Sequence, residues 1–135
     1  MVKMTATYMG EKHCITEHEP SKTVLHTDAP KDNQGRGESF SPTDLVAAAL
    51  GTCILTTMAI FAEKDGIELK NSRMSVAKEM SANPRKIASL RTIIELPASL
   101  SKEAREKLEN IGRNCPVTKS LHPDVNVPIE FRYNI

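Results

Sequence analysis

The chain has 135 residues, 26% of them charged, with a net charge of only +1 and its Lys and Arg scattered, which excludes the basic footprint of a nucleic-acid or anionic-membrane binder. Its length suits one domain over residues 1–135 that buries roughly two-thirds of its unfolded surface. Cys14, Cys53 and Cys115 are an odd number without disulfide-scaffold or zinc-site spacing, and the opening MVKMTATYMG lacks a signal peptide's apolar core, so we expect a cytoplasmic protein with free thiols, no metal and no cofactor.

Residues 2–8 and 12–18 are β-capable segments divided by Gly10, and residues 22–27 follow a turn at Pro20 and Ser21. This reads as an antiparallel meander. Cys14 within it is expected to be a packed or edge residue, and His13 has no second ligand pair at a metal-binding spacing. Residues 28–40 contain two Gly, a Pro and several polar side chains, the composition of a loop. That loop carries Arg36, the only arginine before Arg73.

Ser41 to Lys64, SPTDLVAAALGTCILTTMAIFAEK, is the stretch around which the chain is organised. Ser41 suits an N-cap, Pro42 the first helical position, and Asp44 stands three residues after the cap, where its carboxylate can answer a free amide. Phe40 and Leu45 have the spacing of a hydrophobic staple. No charged residue occurs from Leu45 to Ala62, so a helix here has no polar face and must be enclosed. It would be ~33 Å long at about 1.5 Å per residue, against a radius of gyration near ~14 Å for a compact chain of this size. With no Trp, three Phe and two Tyr to wrap it, the expectation is that a second subunit helps cover it. A membrane span is the competing reading, and the Ala, Thr and Gly content without an aromatic or basic belt argues against it.

Beyond the stop signal Asp65-Gly66, residues 68–80 and 86–96 alternate loosely about a turn at Ala82-Asn83-Pro84, which predicts a second hairpin. Ser101 caps an amphipathic helix through Ala104, Leu108 and Ile111 that ends near Gly112. Pro116 then disfavours helix at Cys115 and suits the start of a new turn, placing the Cys115 thiol at a helix N-terminus where free amides stabilise negative charge. Val125 to Tyr133 reads as a last strand.

Two thiols could run a reversible cycle in which one attacks a peroxide oxygen and the other closes a disulfide. Cys53, on an apolar helix, would need a nearby cation, and Arg36 is the candidate, with Thr43 or Asp44 to hold it. Asp44 and Cys53 are nine residues apart, about 13.5 Å along a helix and on opposite faces. An acid and a thiol sharing one site would therefore come from different subunits.

The pattern FSPTDLVAAALGTC around Cys53, followed by NCPV around Cys115, resembles the OsmC/Ohr superfamily of osmotically inducible and organic hydroperoxide resistance proteins, over nearly the whole chain. The resemblance implies an α+β fold with antiparallel sheets packed around a long central cysteine-bearing helix, in an intertwined homodimer with active sites between subunits. It implies a thiol peroxidase that reduces organic hydroperoxides and is itself reduced by a dithiol such as protein-bound dihydrolipoamide. Cys53 matches the attacking cysteine and Cys115 the resolving one, although helix-start electrostatics alone favour a thiolate at Cys115. The sequence departs from the pattern at Thr43, where peroxidase members usually carry Glu, with Asp44 one position on. Arg36 matches by neighbourhood and not by motif. These departures fit a less active or differently selective branch. A non-catalytic module binding a small apolar ligand in the dimer cleft is the alternative, and a structural dimer with inert cysteines the bland one.

Overall fold

The computed structural model describes residues 1–135. It divides into two compact units, residues 1–46 and 47–135, with the boundary in sequence falling inside the long helix.

The first unit is built on a three-stranded antiparallel meander, β1 (Met4–Gly10), β2 (His13–His18) and β3 (Thr23–Asp28), in that spatial order. The second turn sits at Pro20 and Ser21 as read, but the first is made by Glu11 and Lys12, at φ of 51° and 61°, while Gly10, at 87°, ends β1 beside a shift in register. The register sets Cys14 between Tyr8 and Thr27, and His13 opposite Asp28. After β3 the chain folds back on itself through residues 29–37. A Cβ on Gly35 would stand 1.7 Å from the Ala29 carbonyl oxygen, so only glycine fits there. Phe40 then bridges to Thr27 before the helix begins.

Helix α1 (Pro42–Lys64) starts with a reciprocal capping box, as the sequence predicts. The Asp44 N–H donates to Ser41 Oγ at 3.1 Å, and the Ser41 N–H donates to Asp44 Oδ2 at 2.8 Å. Phe40, expected to staple this start, is itself exposed.

In the second unit, β4 (Arg73–Ser81), β5 (Lys86–Leu96) and β6 (Ile129–Tyr133) form a sheet in the order β4-β5-β6. Three boundaries or pairings differ from the sequence reading. Strand β4 begins at Arg73 and not at residue 68, because the Ser72 N–H turns back to the Leu69 carbonyl and Asn71 adopts a φ of 70°. The last strand begins at Ile129 and not at Val125, Pro128 having no N–H to give the ladder. The sheet is mixed where antiparallel sheets were expected: β6 runs parallel to β5. The chain reaches β6 only after crossing over through α2 (Lys102–Arg113) and α3 (Pro116–Ser120), and a helical crossover returns a strand in the same direction.

Within this unit α1 seats Leu50, Gly51, Ile54, Met58 and Ala62 inward. These positions recur at intervals of three and four and form one face. Gly51 lies so close to Met74 of β4, and Gly112 of α2 so close to Ile54 and Met58, that neither position has room for a side chain without a shift. Leu90, Ile94 and Leu96 of β5 and Leu108 of α2 complete the buried core. Helix α2 is further fastened to β6 by Arg105 over the Tyr133 ring at 4.0 Å, Arg113 over the Phe131 ring at 4.9 Å, and the Tyr133 hydroxyl donating to Glu109 at 2.5 Å.

The enclosure expected of α1 is therefore half met within one chain. Ala49, Thr52, Thr56, Ile60 and Phe61 stay exposed, Ile60 at 57% and Phe61 at 37%. The hydroxyls of Thr52 and Thr56 each donate to the carbonyl four residues earlier at 2.8 Å, so this stripe shows few unsatisfied polar groups. By length and composition alone α1 also suits a membrane span.

Candidate active site

Cys53 lies at mid-length of α1, half-buried, its sulfur 3.8 Å from Thr57 Oγ1 one turn on. The placement follows from helix spacing: Cys53 adjoins the inward Ile54, so its side chain falls at the edge between the packed face and the open stripe. Cys115 is 0% exposed and is the N-cap of α3. Its sulfur accepts the Thr118 N–H at 3.5 Å and stands 3.2 Å from Thr118 Oγ1. The Cys-Pro pair thus starts a helical turn, as read from the sequence. Both thiols are free. Thr57 and Thr118, the hydroxyls beside them, were not singled out in the sequence, although i+4 and i+3 spacing from each cysteine would have flagged them.

The two cysteines belong to the same unit. Gly112, three residues before Cys115, is where α2 meets α1: a Cβ there would come within 3.0 Å of Met58 Sδ and 3.2 Å of Ile54 Cγ2. Ile54 directly follows Cys53. The missing side chain at Gly112 lets the end of α2 press onto the turn of α1 that carries the first thiol.

A cleft of about 260 Å³ opens beside the same helix, lined by Leu55, Thr56, Ala59, Ile67 and Leu69, with Glu63, Glu68 and Lys70 as charged lining. The Ser72 hydroxyl also lines it, buried and without a hydrogen-bond partner. The lining is thus mixed, with apolar side chains beside three charged ones.

Arg36, Thr43 and Asp44 belong to the first unit. Arg36 sits between Gly35 and Gly37 with its side chain 47% exposed, 3.0 Å from Glu11 and 3.9 Å from Glu38. Asp44 serves the capping box, and Thr43 Oγ1 lies 3.2 Å from Ser41 Oγ. Glu11 and Glu38 are thus carboxylates within salt-bridge distance of the candidate cation.

The same unit holds a chain of ionisable groups that sequence reading did not assemble. His13 Nδ1 is 2.6 Å from Asp28 Oδ1, and His13 Nε2 is 3.0 Å from His26 Nδ1. Asp28 is 2% exposed, and its Oδ2 accepts the Glu38 N–H at 3.1 Å. The His13 hydrogen bond, more than any other cause, holds the Asp28 carboxyl below the usual carboxylate range. The signal was available: a hairpin turning at Pro20 and Ser21 with Thr23 opposite His18 necessarily sets Asp28 opposite His13.

Residues 35–130, from Arg36's loop through both cysteines, match the family of OsmC-like proteins. The chain belongs to the OsmC-like family. A solved structure from Psychrobacter arcticus 273-4, of a candidate osmotic stress induced and detoxification response protein, is 36% identical and superposes with a TM-score of 0.92 over 97% of this chain and 96% of that one. An organic hydroperoxide resistance protein OsmC from Legionella pneumophila shares the fold at 20% identity, with a TM-score of 0.75 over 98% of this chain and 96% of that one. The uncharacterised protein YmaD of Bacillus subtilis is 21% identical over 94% of this OsmC-like chain and 90% of its own length. The α+β fold, two three-stranded sheets with helices, thus matches that of the Legionella structure.

Proposed function

We propose that this OsmC-like protein is a cysteine-based peroxidase that reduces organic hydroperoxides, with Cys53 as the attacking and Cys115 as the resolving thiol. The observation that carries the reading is the pair of free thiols in one unit, one half-open on α1 and one sealed at the α2–α3 junction. A half-open thiol can meet a substrate. A sealed one is shielded from bulk oxidant and suits the second step.

In the first step the Cys53 thiolate attacks the distal peroxide oxygen, the O–O bond breaks, and the alcohol leaves after taking a proton, while Cys53 becomes a sulfenic acid. In the second, Cys115 gives its proton and attacks the Cys53 sulfur, releasing water and forming the disulfide. A dithiol, of the class of protein-bound dihydrolipoamide, then exchanges with that disulfide to restore both thiols and is itself oxidised. Arg36 is the cation proposed to favour the Cys53 thiolate, with Thr43 and Asp44 at the helix start beside its loop. The organic group of the substrate would lie in the cleft of Leu55, Ala59, Ile67 and Leu69. The reading further holds that the protein works in the cytoplasm as a homodimer, the uncharged stripe of α1 being covered by a second copy, and that the sites lie between subunits.

A second reading, a non-catalytic module binding a small apolar molecule, draws on the unpartnered Ser72 hydroxyl in that cleft and on the Arg36 pairing with Glu11 and Glu38. Thiol titration separates the two. Cumene hydroperoxide should consume two thiols per chain in wild type, mass spectrometry should find a Cys53–Cys115 disulfide, and a sulfenic-acid reagent should label Cys53 in Cys115→Ser. Thiol content unchanged by hydroperoxide would leave the binding module; label on Cys115 alone in the reciprocal variant would exchange the two roles.

A further inference from the structure

The histidines of the first unit form a hydrogen-bonded chain whose direction is dictated by its buried end. An ionised Asp28 can only accept. His13 must therefore carry its proton on Nδ1, facing Asp28 at 2.6 Å, which leaves Nε2 as a lone pair. That lone pair needs a donor at 3.0 Å, so His26 must carry its proton on Nδ1 as well. The free lone pair of the whole chain then emerges at Nε2 of His26, on an exposed residue of β3. His13 uses both ring nitrogens, so the three side chains do not converge on one point as metal ligands would.

Both ends of this chain are tied to the loop that carries Arg36. The inner end holds the Glu38 N–H on Asp28 Oδ2 at 3.1 Å, and at the outer end Ser39 Oγ donates to the His26 carbonyl at 2.8 Å. We propose that Asp28, His13 and His26 are positioning residues: one directed hydrogen-bond chain that orients the Asp28 carboxylate and so holds the Arg36 loop through the Glu38 N–H. This deepens the peroxidase reading, on which its catalytic meaning rests. The charged groups beside the chain are Arg36, which acts on Asp28, Glu38, whose N–H Asp28 accepts, and Glu17, which shares the His13 and His26 face of the meander. Arg36 and the ionised Asp28 attract, which adds to the hold on the loop.

The isosteric variant Asp28→Asn gives the chain a test of direction. The substituted amide side chain has one oxygen, which must stay with the Glu38 N–H, so its NH2 turns to His13 and donates. His13 must then move its proton to Nε2 and donate to His26, whose proton also moves to Nε2. One atom exchanged at the buried end reverses every bond to the surface.

Long-range proton–nitrogen correlation spectra of 15N-labelled full-length protein read these tautomers directly, with the four histidines assigned by single substitution. Wild type at neutral pH should show both His13 and His26 protonated at Nδ1, and Asp28→Asn should show both at Nε2. A wild-type His26 protonated at Nε2 overturns the chain, even if Asp28→Asn does not fold. In His13→Phe, which removes the bond that orients the Asp28 carboxylate, the Gly37 and Glu38 amide signals should move from their wild-type positions. Correct tautomers with unmoved loop amides overturn the positioning role. The same wild-type samples treated with cumene hydroperoxide keep the two questions apart: intact thiols at every pH would sink the peroxidase reading and leave the tautomer result standing.

Discussion

Gly51 stands two residues before Cys53, and its lack of a side chain is what seats α1 on the sheet. A Cβ placed there would lie 2.4 Å from Met74 Sδ, 2.8 Å from its Cε and 2.9 Å from its Cγ. An ordinary contact begins near 3.4 Å, so the sulfur would have to withdraw by about 1 Å, and the Cγ clash means the outer end cannot do this alone. Overpacking of this kind costs about 1–3 kcal/mol. Against it, replacing a mid-helix Gly by Ala returns about 1 kcal/mol of helix propensity. Gly51→Ala should therefore lose between about 0 and 2 kcal/mol net. For a chain of 135 residues the unfolding entropy is about 0.28 kcal/mol per kelvin, so the melting temperature should fall by up to about 7 °C. Met74→Ala, which empties the contested space, should be destabilising alone and should be milder in the Gly51→Ala background. The coupling between the two should be at least about 1 kcal/mol, well beyond the roughly 0.3–0.5 kcal/mol within which distant sites add. Differential scanning calorimetry of the four proteins measures this cycle. If Gly51→Ala proves more stable by the full propensity gain, and the two changes add, the close approach of α1 to β4 is not what requires glycine.

Three further outcomes follow from the geometry. Ser41→Ala removes the oxygen that accepts the Asp44 N–H and should cost about 0.5–2 kcal/mol in urea denaturation, with Ser41→Asn recovering most of it. Burial, and then the hydrogen bond to Glu109, raise the Tyr133 phenol well above its ordinary value of 10.0, so the folded state holds a proton that the unfolded chain releases. That contribution is complete below about pH 10 and shrinks as pH rises beyond it; Tyr133→Phe should flatten the alkaline fall in stability seen in wild type, and an unchanged slope would contradict the assignment. Sedimentation of wild type should give twice the 14.9 kDa chain mass, and Ile60→Lys, which puts a charge on the exposed apolar stripe of α1, should shift it to monomer at micromolar concentration; an unaltered dimer would place the interface elsewhere.

The local punctuation of this fold was readable because each signal acts within a few residues. The Ser41–Asp44 box, the Ser101 cap and the Cys115-Pro116 helix start are bonds between near neighbours in sequence, and all three occur as written. The strand starts at Arg73 and Ile129 were misplaced because alternation continues through residues that a turn or a proline withdraws from the ladder. The partners of Arg36 went unread for a different reason: Glu11 comes to it from the β1–β2 turn, and although Glu38 is only two residues away, charge pairing in a loop carries no spacing rule.

From the residue order alone came the long uncharged helix, its caps, the order of elements and the two cysteine motifs, since propensity, capping and proline geometry depend on neighbours along the chain. The tertiary structure alone decided which side of α1 faces inward, because a helix apolar on every side has no periodicity to declare a face. It also decided that β6 returns parallel to β5, and that Asp28, His13 and His26 line up into one directed chain. Those outcomes depend on what stands across the gap from each residue, and distance in space is the quantity a linear sequence leaves unwritten.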